Sequence, residues 1–329
     1  MKRIGIAGAT GLVGEALLAV LEARRHDVEE LRLFASARSA GEKRAFRGRE
    51  YTVAEVRADA FAGLDVAFFC LEADLAKRLV PEAAKHCPVI DKSSNFRLRD
   101  DVPLVVPEVN AAALKDHHNI IANPNCTTIP LVVALAPLHR PFGLERVWLA
   151  SYQSASGGGK VALSQLAYET EFVAMGQEPD GRASPLPAQL ADNVIPQIDG
   201  FDGHGNTGEE LKTMKESAKI LGLPGLVVTA TCVRVPVSVG HSLAVTARFE
   251  RPARVKEALD ALRHAPGVVL YDRDRYVTPA VCRGSDSVYI SRVRPGADEH
   301  ELSLWIVCDN LRKGAATNAV QIAEVLAKG

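Results

Sequence analysis

The chain opens with an apolar run, residues 3–7. It then passes through Gly8-Ala9-Thr10-Gly11-Leu12-Val13-Gly14 into an amphipathic segment that reaches residue 24. A strand that turns on glycines directly into a helix is the first unit of a parallel α/β sheet. Glycines at such a turn let the main chain approach a phosphate closely. The helix start adds free N–H groups and the positive end of a dipole. The spacing is GxxGxxG, a variant of GxGxxG, so on these residues alone a pyrophosphate cradle competes with a tight turn that binds nothing.

The alternation of strand and helix then continues. Residues 31–35, 66–70, 89–90 and 120–122 read as short apolar strands, and residues 73–84 as a helix. Strands this apolar are covered on both faces. After Cys126 the character changes. A helix is expected over 127–138, then longer strand-like segments at 146–153, 227–236, 242–249 and 302–308, the last three with more alternation. That pattern predicts a larger mixed sheet with one covered face. Between them, residues 176–208 are rich in Gly, Pro, Asp and Asn, a length that suggests a functional or intersubunit loop. Residues 314–326 place Ala315, Ala319, Ile322, Ala323 and Leu326 on one helical stripe.

At 329 residues the chain suits two domains at about 150 residues each. With 47% hydrophobic and 24% charged residues it reads as an ordered globular protein. The net charge is −1 and no stretch is strongly basic, which argues against a nucleic-acid surface. The start reads as a strand rather than a signal peptide, and no window approaches the roughly 20 apolar residues of a membrane span. A cytoplasmic protein with reduced thiols is expected. No His/Cys/Asp cluster has metal-ligand spacing, so no metal is expected.

Where an NAD site commonly places an acid after the second strand, this chain has Ser36, Arg38 and Ser39. A guanidinium with hydroxyls suits a 2′-phosphate and favours NADP. A solvated polar turn is the bland alternative.

Six cysteines (Cys70, Cys87, Cys126, Cys232, Cys282 and Cys308) lack CxxC spacing, and five sit where a small buried hydrophobe suffices. Cys126 differs. It follows a strand, in Asn123-Pro124-Asn125-Cys126-Thr127-Thr128, and opens a helix for which Asn125 is the expected N-cap. A helix N-terminus favours the thiolate, the reactive form. A cysteine nucleophile with a nicotinamide site implies one chemistry. The thiolate attacks an aldehyde, hydride leaves, and a thioester remains; in reverse, an acyl phosphate acylates the thiolate.

The segments GATGLVG (8–14), SARSAG (36–41), SSNFR (93–97), PEVN (107–110), NPNCTT (123–128), SYQSASGGGK (151–160), EELK (209–212), RVPVSVGHS (234–242) and DNLRKGAATNAVQIAE (309–324) resemble the aspartate-β-semialdehyde dehydrogenase family nearly end to end. The resemblance implies an N-terminal Rossmann-like dinucleotide-binding domain, 1–127 and 309–329, with the C-terminal helix packing back on it. It also implies an α+β catalytic and dimerisation domain with a mixed sheet, 128–308. The implied reaction interconverts L-aspartyl-4-phosphate with L-aspartate-4-semialdehyde, inorganic phosphate and NADP through a cysteine thioester, on the route to lysine, threonine and methionine. Cys126 would be the nucleophile, His241 the acid–base group, and Gln153 would orient the acyl intermediate. Arg234 would hold the substrate carboxylate, Glu209 its ammonium, and Arg97 and Lys212 phosphate, with Asn125 also in the substrate site. Gly8, Ala9, Thr10, Gly11, Leu12, Val13, Ser36, Arg38, Ser39, Gly157 and Asn310 would bind NADP. A homodimer or homotetramer is implied, with the second domain at the contact.

The side chains fit these tasks, since an Arg fork suits a carboxylate and an Arg–Lys pair suits phosphate. Taken without the motifs, His241 reads as a satisfied histidine and Glu209–Lys212 as a solvated helical pair. Arg97 could simply pack on Phe96 and pair with Asp100 or Asp101. His117, His118 and His204 read as structural or exposed. Two rival functions remain open at this point. An N-acetyl-γ-glutamyl-phosphate reductase would not need Glu209 for a free ammonium. A catalytically silent homologue would be expected to lose Cys126 or its partners.

Overall fold

Strand β1 (Arg3–Ala7) is buried at four of its five positions, as both-face coverage requires. The computed structural model describes residues 1–179, 184, 186–271 and 275–328. They form two units, Met1–Asn125 with the stretch from Ala315 onward, and Cys126–Gly314.

In the first unit α1 (Leu12–Ala23) and β2 (Glu30–Ala35) follow β1. A small hairpin comes next, β3 (Lys43–Phe46) with β4 (Arg49–Thr52), then β5 (Ala54–Glu55), β6 (Val66–Phe69), α2 (Ala73–Ala83), β7 (Val89–Asp91), α3 (Pro107–Asn110) and β8 (Ile120–Ala122). The sheet order is β5-β2-β1-β6-β7-β8, all parallel. The glycines of the first turn do different work. Gly8 has φ +86°, and a Cβ there would lie 2.4 Å from the Cys70 carbonyl oxygen. A Cβ on Gly14 would lie 2.3 Å from the Gly8 oxygen, so this glycine lets α1 pack on the turn. Gly11 has only that oxygen nearby, at 3.5 Å, and is the uncapped N-cap of α1.

The second unit begins with α4 (Thr128–Phe142) and β9 (Leu144–Gln153). Helices α5 (Gly159–Ala174) and α6 (Gly208–Leu221) precede β10 (Val227–Arg234) and β11 (His241–Phe249). Then come α7 (Val255–Arg263), β12 (Val268–Leu270), α8 (Pro279–Cys282), β13 (Val288–Pro295) and β14 (Glu301–Cys308). The sheet order is β10-β9-β11-β14-β13-β12, parallel at its two outer pairs and antiparallel within. Alternation explains its two faces. Val147, Leu149, Leu243, Val245, Leu302 and Leu304 are buried, while Trp148, Ala244, Thr246 and Trp305 on the other face are half-exposed.

Helix α4 is buried almost throughout and carries Pro137 and Pro141 inside it. Those prolines suggest a stop at 138. The helix instead continues to Phe142 and ends at Gly143, φ +75°, because an apolar segment enclosed in a core gains more from burial than it loses at a missing N–H. Its N-cap is Thr127, without a side-chain bond, and not Asn125. Asn125 is the last residue of the first unit and is buried. Cys126, Thr127 and residues 309–314 belong to the second unit, whereas the sequence puts its breaks after 127 and 308. The chain then returns as α9 (Thr317–Leu326), whose Ala319, Val320, Ile322 and Ala323 enter the first unit's core with Ile4, Ile6, Leu33 and Ile90. A π-helical turn, Arg312–Ala316, precedes it, where the sequence suggests helix from 314.

Of the stretch 176–208, residues 180–183 and 185 lie outside the described residues. Beyond them the stretch is anchored at Leu190, Ala191 and Ile195. The Glu169 carboxylate accepts the N–H groups of Leu190 and Ala191 at 2.7 and 3.0 Å. Ile195 exchanges both backbone hydrogen bonds with Arg234, at 2.9 and 2.8 Å.

Candidate active site

Three strand ends of the second sheet converge. Arg234 closes β10 opposite Gln153, which closes β9 in parallel register. His241 opens β11 opposite Cys308 of β14, and its neighbour Ser242 pairs with Tyr152 of β9 in the antiparallel ladders. Side chains fixed at strand ends hold their positions better than loop residues do. Cys126 lies at the entrance of α4, half-buried, with Sγ 3.4 Å from His241 Nε2. Gly314 lies against it, since a Cβ there would be 3.3 Å from Cys126 Cβ.

The acid of the site is placed by a capping box. Thr207 Oγ1 accepts the Glu210 N–H, and the Glu210 carboxylate accepts the Thr207 N–H at 2.6 Å. Glu210 also accepts the Cys232 N–H at 2.9 Å, tying α6 to β10. Glu209, one residue earlier, is buried at 4% exposure. Its Oε1 accepts from Gln153 Nε2 at 2.9 Å and its Oε2 from Lys212 Nζ at 3.3 Å. Gln153 is oriented from the other side by the Ser151 hydroxyl at 2.8 Å. Lys212 also grips Asp199. Burial works against the Lys212 ammonium, but Glu209 and Asp199 outweigh it and raise its pKa above the ordinary lysine value.

Arg234 is buried and donates Nη1 to the Ser154 carbonyl at 2.8 Å. Burial lowers its pKa, with Glu209 opposing. His241 is pushed down to about 3, first by burial and then by the Arg234 charge, while Glu209 works the other way. Cys70 and Cys87 in the first unit, and Cys232, Cys282 and Cys308 in the second, have thiols pushed up by burial, to about 12 at Cys70, Cys232 and Cys282 and about 11 at Cys87.

The second unit therefore brings together Cys126, Gln153, Gly157, Glu209, Lys212, Arg234 and His241, with Asn310 in the bonding network behind His241. Gly157 has a steric role. A methyl group there would lie 2.7 Å from Arg234 Nη1 and 3.3 Å from His241 Nε2. Gly157→Ala is expected to displace that guanidinium and lower kcat/KM about ten-fold or more; wild-type kinetics would remove Gly157 from the site.

Arg97 lies in the first unit, buried, with Nη2 donating to the Lys92 carbonyl at 2.5 Å. Arg99 pairs with Asp101. The glycine turn, Ser36, Arg38 and Ser39 are also in the first unit, with Ser36 and Arg38 exposed on and beside a short 3-10 turn, Ala37–Ser39. His118 and His204 are exposed and His117 is half-buried. Sequence reasoning misses Asp199, Ser151 and Ser154. The Thr207-x-x-Glu210 capping pattern is readable, but nothing local marks the other three.

Residues 3–117 match the family model described as semialdehyde dehydrogenase, NAD binding domain, and residues 135–313 match semialdehyde dehydrogenase, dimerisation domain. The chain is 42% identical to an aspartate-semialdehyde dehydrogenase of Bacillus subtilis (strain 168), over 99% of this chain and 97% of that one. A crystal structure of aspartate semialdehyde dehydrogenase II complexed with ASA, from Vibrio cholerae, matches with TM-score 0.97 at 40% identity, covering 100% and 98% of the two chains. Another, of aspartate semialdehyde dehydrogenase with NADP from Candida albicans, matches with TM-score 0.77 at 26% identity, covering 99% and 98%.

Proposed function

The chain belongs to the aspartate-semialdehyde dehydrogenase family, and from that premise we propose the residue roles, the cofactor preference and the assembly. It is an NAD(P)-binding oxidoreductase. The observation that carries the site reading is the 3.4 Å approach of Cys126 Sγ to His241 Nε2, with a buried acid and a buried guanidinium beside the pair.

Cys126 attacks the carbonyl carbon of aspartyl phosphate, phosphate leaves, and a thioester forms. The bound dinucleotide supplies the hydride that reduces this thioester. Collapse of the resulting thiohemiacetal gives the semialdehyde and frees the thiolate. Gln153 orients the acyl group, and Glu209 holds the substrate ammonium. Arg234 forks onto the carboxylate, and Lys212 and Arg97 hold phosphate, with Asn125 next to the nucleophile in sequence. His241 serves the carbonyl oxygen.

For the cofactor we favour NADP. The turn residues Gly8, Ala9, Thr10, Gly11, Leu12 and Val13 fit a pyrophosphate, because α1 starts without a side-chain cap and Gly11 leaves open space. Ser36, Arg38 and Ser39 fit a 2′-phosphate, and the Candida albicans structure is of the relative with NADP. Gly157 and Asn310 remain candidates for the carboxamide end; the Asn310 Nδ2 group is buried and has no partner among the described residues. Arg38→Ala is expected to raise KM for NADPH about ten-fold, the loss of one charge-assisted contact, and to leave KM for NADH nearly unchanged. Equal effects on the two cofactors would refute the preference.

We further propose a homodimer, with a homotetramer as its extension. The second unit matches a dimerisation domain, and its sheet presents a groove lined by Trp148, Thr229, Thr231, Ala244, Arg292 and Trp305. Among the described residues no helix is long and apolar enough to cross a membrane. We place the enzyme in the cytoplasm, where its six free cysteines stay reduced.

A further inference from the structure

The ring of His241 touches different partners at its two nitrogens. Nε2 faces Cys126 Sγ. Nδ1 faces Ser154 twice, receiving the backbone N–H at 3.1 Å and lying 3.1 Å from the hydroxyl. A backbone amide can only donate, so Nδ1 must offer a lone pair. A neutral imidazole with a lone pair at Nδ1 carries its one proton at Nε2. The nitrogen next to the sulfur is therefore the protonated one.

The Ser154 hydroxyl is itself held. It has one hydrogen to give, and it lies 3.1 Å from Asn310 Oδ1 and 3.0 Å from Ser156 Oγ. Ser156 donates its own hydrogen to Asn310 Oδ1 at 3.0 Å, which leaves the Ser154 hydrogen for His241 Nδ1. The Gly240 N–H reaches the same oxygen at 2.9 Å. That amide also can only donate, which fixes the end of the Asn310 side chain that is oxygen. Ser154, Ser156, Asn310 and His241 are all at most 3% exposed, so water does not compete for these bonds.

We propose that Ser154, whose hydroxyl hydrogen turns to Nδ1 because Ser156 and the Gly240 N–H already supply Asn310 Oδ1, is a positioning residue that locks His241 in its Nε2–H form, so that the ring meets the reacting atoms as a hydrogen-bond donor rather than as a base. The proposal rests on the roles given above for Cys126 and His241. The steps balance without a base. In the direction of aldehyde oxidation a thiolate electron pair forms the S–C bond while the carbonyl π pair moves onto oxygen. Nε2–H donates to that oxyanion. The oxygen pair then re-forms the double bond as hydride leaves carbon for the nicotinamide, and the thioester results. No proton has to be taken from the intermediate. The thiolate owes its charge to its position at the start of α4 and not to transfer onto Nε2, which already holds a proton.

The test is nitrogen NMR of the full chain labelled with ¹⁵N-histidine, with His241→Gln identifying the signal. The expected result is a lone-pair Nδ1 and a protonated Nε2 from about pH 5 to 9, with no titration near the ordinary value of about 6.5. Ser154→Ala removes one of the two donors at Nδ1. It should move the titration of the ring upward and bring an acid-side limb into the kcat profile, while KM for the semialdehyde holds within about two-fold. Ser154→Thr, which keeps the hydroxyl, should restore the flat profile. A protonated Nδ1 in the unmodified enzyme overturns the proposal. So does a Ser154→Ala variant whose kcat falls evenly at every pH with its tautomer unchanged, since that is the mark of a merely structural residue. The tautomer is read in the resting enzyme, so its failure is distinct from failure of the roles above, which alkylation of Cys126 and phosphate-dependent turnover test.

Discussion

Cys126→Ala is expected to abolish phosphate-dependent reduction of NADP by aspartate semialdehyde, a loss of about 10⁵-fold or more, as when a covalent nucleophile is removed. Folding should hardly notice. The substitution keeps the Cβ that meets Gly314 and deletes only a sulfur at a half-exposed position, so stability should stay within about 0.5 kcal/mol. The remaining thiols sharpen the result. Burial pushes all five well above the ordinary cysteine value, so iodoacetamide should label the native enzyme at one thiol per chain and label Cys126→Ala hardly at all. Steady-state rates with melting curves on the two proteins decide the matter. Turnover that survives in the alanine variant removes the covalent mechanism whatever the fold.

Local signals locate the elements better than they locate the bonds between them. β1 and β8 are readable to the residue because apolar runs bounded by Gly, Asn or Pro leave little choice of ends. Sequence alone stops α4 four residues short, because its prolines are a local signal and its enclosure is not. α5 and β13 escape it altogether. The exposed end of β13 is polar, and α5 starts in a glycine run that looks like loop. Within the site, Cys126 is legible from its place at a strand-to-helix turn, whereas Glu209 and Lys212 are legible only through the family resemblance, since their spacing alone reads as a solvated helical pair. The motif around His241 names the residue, but no spacing could show that residue 154, 87 positions away, would supply both donors at its Nδ1. Asp199 is the same case. Its grip on Lys212 depends on where a loop of low regularity returns.

Arg234→Lys is expected to raise KM for the semialdehyde roughly ten- to hundred-fold, the equivalent of about 1.5–3 kcal/mol for one charged hydrogen bond. The reason is a division of labour within one guanidinium. Nη1 is already committed to the Ser154 carbonyl at 2.8 Å, in space that the lack of a side chain at Gly157 leaves open. The rest of the fork is left for a carboxylate. An ammonium is a single centre on a flexible stem, so it can answer one of those demands and not both. The backbone under Arg234 is pinned by its two bonds to Ile195, so the strand cannot shift to compensate. A second variant separates charge from shape. Arg234→Gln removes the positive charge that stands second only to burial in holding His241 down. In that variant the histidine pKa should rise from about 3 toward its ordinary value, which Arg234→Lys should not produce. Kinetics of both variants against pH give the two readings together. An unchanged KM in Arg234→Lys would mean that the carboxylate anchor lies elsewhere.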